Sequence, residues 1–133
     1  MKTQQAIISI ILTIVFIAAG ASVAAAHHSA APFDTTTSKT ISGTVKQVDW
    51  TNPHTWVWVD VPNSRGSVDT WGFEGMSPNY LGRRGWTKTT LRPGDKITIA
   101  FRPLRDGSNG GMFVSATRPD GKLLRMTGEP TEP

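Results

Sequence analysis

From His54 onward the residues alternate strictly between two kinds. His54, Trp56, Trp58 and Asp60 take one side of the pattern, and Thr55, Val57, Val59 and Val61 take the other. A period of two belongs to a β-strand, whose successive side chains leave opposite faces of the pleat. The valine face reads as core. The tryptophan face is too large and too aromatic to be ordinary solvated surface. Just upstream, Thr51-Asn52-Pro53 reads as a turn, because the proline fixes its own φ and biases Asn52 toward an extended backbone. A loop therefore delivers a histidine to the start of a strand that carries two indoles. The stretch from Asp49 to Asp60 holds three of the five tryptophans and one of the three histidines.

Other strands flank this one. Thr40 to Val48 reads as a first strand, with Gly43 marking a bulge or tight bend. The His54 strand ends near Val61, and Pro62-Asn63-Ser64-Arg65-Gly66 is a hairpin turn. Ser67 to Glu74 makes a third strand, with Val68, Thr70 and Gly72 opposite Asp69, Trp71 and Phe73. Ser77 as N-cap with Pro78 at the first helical position starts a helix, which Gly82 and Gly85 limit to about two turns. Trp86 is expected to plug one end of the domain, and Thr87 to Leu91 to make a second short turn. After the turn Arg92-Pro93-Gly94-Asp95, Lys96 to Phe101 is a fourth strand with Ile97, Ile99 and Phe101 inward. A loop from Leu104 to Gly111 leads to a fifth strand, Met112 to Arg118, and then to a short last one, Lys122 to Met126.

The ends of the chain carry a different kind of information. Lys2 precedes an apolar run from Ala6 to Ala19, followed by Gly20 and the small residues Ala21 to Ala26. That is the order of a secretory signal, and the run is shorter than the roughly 20 apolar residues a membrane span needs. An uncleaved anchor is the alternative. The expected organisation is a signal peptide over 1–26, an extended leader over 27–39 pinned by Phe33, a barrel domain over 40–126 and a disordered tail over 127–133. The expected location is periplasmic or secreted. There is no cysteine, so the domain must stand on its packed core, and thiolate metal sites and thiol catalysis are excluded. The 14 Lys and Arg against 10 Asp and Glu leave a net charge of +4, and Lys2 is the one charged residue before His27. These charges are interleaved rather than gathered in a basic stripe, which argues against nucleic acid as a partner. The partners that fit are a small ligand or an envelope protein, with the membrane met only in transit.

Cleavage after Ala26 makes His27 the new terminus, whose amine and ring nitrogen can chelate one metal. A third nitrogen from His54 completes a tetragonal set that suits Cu(II). Cleavage one residue earlier places His28 third, where the amine, backbone amides and imidazole also bind Cu(II) in a plane. His27, His28 and His54 are thus the candidate metal ligands, and copper the candidate cofactor. The opposing reading is a solvated histidine pair at a loose terminus and a turn-stabilising His54.

Three strands, a short helix and two more strands make the order of an OB-fold, an all-β five-stranded barrel with one short helix. A sandwich would want about seven strands. OB-folds bind ligands on the face of strands two and three, between the loops that join strands one to two and four to five. This places Trp50, Asn52, Trp56, Trp58, Trp71, Arg102 and Arg105 as candidate ligand-binding residues. Indoles suit sugar rings or aromatics and guanidinium groups suit carboxylates or phosphates. The competing reading packs the tryptophans as core.

Three segments together carry a family likeness: His27-His28-Ser29-Ala30, Trp50 to Trp56, and Ser77 to Trp86. With Leu91 to Asp95 and Pro103 to Gly107, the chain resembles the small exported bacterial proteins of the domain-of-unknown-function 6152 family. The resemblance implies export and a single domain, and brings no activity or catalytic residues with it. An enzyme is the weakest reading. Asp49, Asp60, Asp69 and Glu74 have no defined mutual geometry in sequence, and no serine sits in a nucleophile motif. No catalytic residue is assigned.

Overall fold

The structure, a computed structural model, describes residues 32–127. The expected signal segment 1–26, the start of the expected leader with His27 and His28, and most of the expected tail lie outside the described residues. Six strands and one helix follow in order: β1 (Lys39–Asp49), β2 (Trp56–Pro62), β3 (Val68–Glu74), α1 (Pro78–Gly82), β4 (Lys96–Pro103), β5 (Gly110–Thr117) and β6 (Leu123–Arg125). The sheet order is β3-β2-β1-β4-β5-β6, and a further β3–β5 pairing closes the first five into a barrel. This is the OB-like order expected from the sequence, with β6 added alongside β5.

The long β1 makes closure possible. Its first half, Lys39 to Thr44, pairs with β4, and its second half, from Thr44, pairs with β2. Thr44 belongs to both ladders, so the strand must curl there. A Cβ at Gly43 would stand 2.6 Å from both the Asp60 carbonyl oxygen and a Val59 methyl, which only glycine avoids. The bulge itself falls between Val45 and Gln47, two residues beyond the expected glycine. There the turn at Arg92 to Asp95 takes up the freed backbone groups. Val45 N–H donates to the Asp95 carbonyl and Gly94 N–H donates to the Val45 carbonyl, each at 2.8 Å.

The alternation seen in the sequence is the alternation of burial. Val57, Val59, Val61, Phe73, Ile97, Ile99 and Phe101 all face the core, and Phe73 meets Phe101 edge to face at 5.1 Å. The leader is pinned as expected. Phe33 is buried and bridges to Leu104, with Asp34 N–H on the Pro103 carbonyl and Arg105 N–H on the Pro32 carbonyl.

Helix α1 starts as anticipated, with the Ser77 hydroxyl accepting from Tyr80 N–H and proline opening the first turn. It has only five residues rather than two turns. The chain turns out through Gly85 at φ +82° and inserts Trp86 into the core. That indole donates its Nε1–H to the Arg125 carbonyl at 3.1 Å and meets Phe113 edge-on at 6.2 Å. Burial of Trp86 therefore outweighs extending a helix already weakened by two glycines.

Candidate functional site

The outer face of β1, β2 and β3 carries the aromatic platform. Trp56 and Trp58 stack with ring centroids 5.6 Å apart and planes 17° from parallel. Both are half-buried. Two neighbours hold Trp58 flat. Gly72 lies opposite it on β3, where a Cβ would come within 2.6 Å of the indole ring. From β1, the Asp49 carboxylate accepts the Trp58 Nε1–H at 2.8 Å. At the far end of the face the Thr70 hydroxyl donates to Asp60 at 2.7 Å, and Lys46 joins them.

His54 stands at the near end. It precedes β2 rather than opening it, because Thr55 is engaged elsewhere. Thr55 N–H and its hydroxyl both bond to the Met76 carbonyl, at 3.1 and 2.9 Å. The His54 Nδ1 contacts Glu74 Oε1, and Glu74 is the cross-strand partner of Trp56. A neutral ring that gives its Nδ1–H to a carboxylate keeps a lone pair on Nε2. With the side chain 36% exposed, that nitrogen is within reach of a ligand. Among the described residues, no three of His, Cys, Asp and Glu gather as a metal-holding group.

The residues grouped by the sequence reading separate into two places. One transverse row of the barrel runs Asp49, Trp56, Glu74, Met112, Arg102. Trp56 and Arg102 are thus three strand spacings apart, roughly 14 Å at about 4.8 Å each. Arg102 donates to the Thr35 carbonyl, so it anchors the leader. Trp71 pairs with Val59 and so lies on the inner face, opposite to Trp56 and Trp58. It stacks on Phe73 at 6.4 Å and meets Phe101 edge-on at 5.9 Å. Arg105 lies in the β4–β5 loop, close enough for its charge to act on Asp34. Trp50 packs, half-buried, against the core, and Asn52 is exposed in the turn before cis-Pro53. Helix, loop and platform are therefore not one continuous aromatic surface. His54, Trp56 and Trp58 form one cluster, and Trp71 with Arg105 belongs to the end of the barrel where the leader docks.

Glu74 and Gly72 were the residues hardest to see. Glu74 stood among four unpaired carboxylates until strand register put it beside His54. Gly72 did carry a signal, since a glycine inside a strand marks close approach by something large.

Asp49 offers a test of the platform. Hydrogen bonds from the Gln47 amide and then the Trp58 indole hold its carboxyl below the usual 3.8. A carboxyl depressed in the folded state contributes fully at neutral pH, and that contribution disappears as pH falls below about 4 toward the folded value. Solvent screens this partly covered group, so the readout is Trp58 rather than global stability. Tryptophan emission should show an acid transition below about pH 4 that is lost in Asp49→Asn. An identical transition in both proteins would place its origin elsewhere.

The chain was also compared with known proteins. No curated protein and no solved structure is significantly similar to it. A family model described as a family of unknown function, DUF6152, matches residues 14–114. The family resemblance seen in the sequence and this match agree, and the chain belongs to the family of unknown function DUF6152.

Proposed function

We propose that this chain is an exported binding module, periplasmic or secreted, in which His54 is a Cu(II) ligand. His27 and His28 supply the further nitrogen donors once the signal segment is removed. The observation that carries the reading is the contact between His54 Nδ1 and Glu74 Oε1. Metal-ligating histidines almost always give their second ring N–H to a carboxylate, a backbone carbonyl or water, and a carboxylate there fixes the tautomer and makes the outer nitrogen a better donor. Imidazole and amine nitrogens suit Cu(II), which also leads the affinity order of the divalent ions.

The experiment begins with the mass of the exported protein, which identifies its first residue. Cu(II) is then titrated into that form, a Met-extended form, His54→Ala and Glu74→Gln. Glu74→Gln should lose about 10- to 100-fold in affinity, with larger losses in the other two. Equal affinity for the exported and Met-extended forms removes the terminal chelate, and equal affinity in His54→Ala removes His54.

The stacked pair Trp56 and Trp58 favours a second reading, a module for a sugar ring, another small ligand or a protein side chain laid on the indoles. Quenching of tryptophan emission by oligosaccharides, lost in Trp56→Ala, would select it over the metal.

A further inference from the structure

The end of the barrel at the β4–β5 loop contains a cleft of about 450 Å³. Its floor is made by Trp71 and Phe101, two rings of the inner face set edge to face. Its rim comes from segments far apart in sequence: Asp34 from the leader, Lys39 at the start of β1, and Arg105 and Ser108 from the β4–β5 loop. Phe101 is buried, whereas Trp71 keeps part of its ring open. The volume falls within the range of small-molecule sites, and barrel mouths are among the places such sites occur.

We propose that this mouth binds a planar aromatic carboxylate. The ring lies on Trp71 and the carboxylate points to Lys39 and Arg105. An aromatic floor rewards a flat apolar ring through offset stacking or edge contacts. The rim chooses the charge. Asp34 is the one acid among the rim residues, and its oxygens are already engaged by Thr36 N–H at 3.0 Å, the Thr36 hydroxyl at 2.6 Å and the Thr37 hydroxyl. Two cations stand against one carboxylate, so the rim carries a net positive charge. A guanidinium beside an ammonium takes a carboxylate well, Arg by its two-pronged fork and Lys as a point charge. This site is separate from the proposed copper site. It shares no residue with His54, Glu74 or the Trp56–Trp58 stack.

The probe is 2-naphthoate, with 2-naphthalenemethanol as its neutral counterpart and indole N–H signals in ¹H–¹⁵N spectra as the readout. The expected result is saturable binding that moves the Trp71 signal, with the carboxylate about tenfold or more tighter than the alcohol. Lys39→Gln should weaken 2-naphthoate by about tenfold and leave the alcohol unchanged. Lys39 is exposed, so the fold should survive this change. Arg105→Gln gives a second reading of the charge, with its melting temperature checked because Arg105 sits where the leader docks. Equal binding of acid and alcohol, shifts confined to Trp56 or Trp58, or no saturation at millimolar concentration each overturns the proposal. Cu(II) titration of Lys39→Gln should match the unaltered protein, so the two readings fail separately.

Discussion

Gly110→Val should open the barrel and lower unfolding free energy by about 3–5 kcal/mol. The β3–β5 seam is a parallel ladder of three register pairs, Gly72 with Gly110, Phe73 with Gly111 and Glu74 with Met112. A Cβ at Gly110 would stand 2.2 Å from the Gly72 carbonyl oxygen, far inside contact distance. Gly110 also has a φ of +151°, which a β-branched residue adopts only under strain. The substitution meets both obstacles at once, and neither flanking backbone can retreat without losing the Gly72 N–H bond to the Asn109 carbonyl. Urea unfolding followed by Trp emission measures the change. A loss below about 1 kcal/mol, the usual size for a tolerated change, would mean that closure does not depend on this close approach.

Phe73→Ala should cost about 3–5 kcal/mol, the range for removing a buried aromatic ring. Phe73 has no solvent exposure and touches both Phe101 and Trp71, so the cavity falls between the barrel centre and the proposed ligand mouth. Domains of this size are stable by about 5–15 kcal/mol, and such a loss should lower the melting temperature by at least about 12 °C. Phe73→Leu, which retains most of the volume, should lose much less. If alanine and leucine prove equally harmful, shape rather than cavity size controls the site. If neither shifts the melting temperature, Phe73 is not the centre of the core.

Much of this architecture can be read from local patterns. The alternation of Val57, Val59 and Val61 identifies an inner face, and the same spacing on β4 identifies Ile97, Ile99 and Phe101. Ser77-Pro78 marks the helix start, since both residues act on the first turn that follows them. The helix end was less legible. Gly82 and Gly85 limit the helix, but its length is decided by where Trp86 must enter the core. At Gly43 the tight bend is legible, and the bulge lies two residues further on for a related reason. The glycine is needed for close approach to β2, whereas the bulge lies where the Arg92 to Asp95 turn can satisfy Val45.

The candidate site divides along the same line. His54, Trp56 and Trp58 could be named together because two of them share a strand face and the third lies two residues before that strand, in step with its alternation. Trp71 could not be separated from them by aromatic character alone. Alternation within β3 puts Trp71 beside Phe73, but that this face is the inner one follows from the pairing of Trp71 with Val59, a relation between two strands.

Sequence alone settled the strand faces, the helix start and an all-β barrel order, because side-chain period and capping are properties of neighbouring residues. Tertiary structure decided that Glu74 supports His54, that Gly72 makes room for Trp58, and that Lys39 and Arg105 rim one mouth. The physical reason is register. A pairing between distant strands chooses which side chains become neighbours, and a slip of one residue would send each of them to the opposite face.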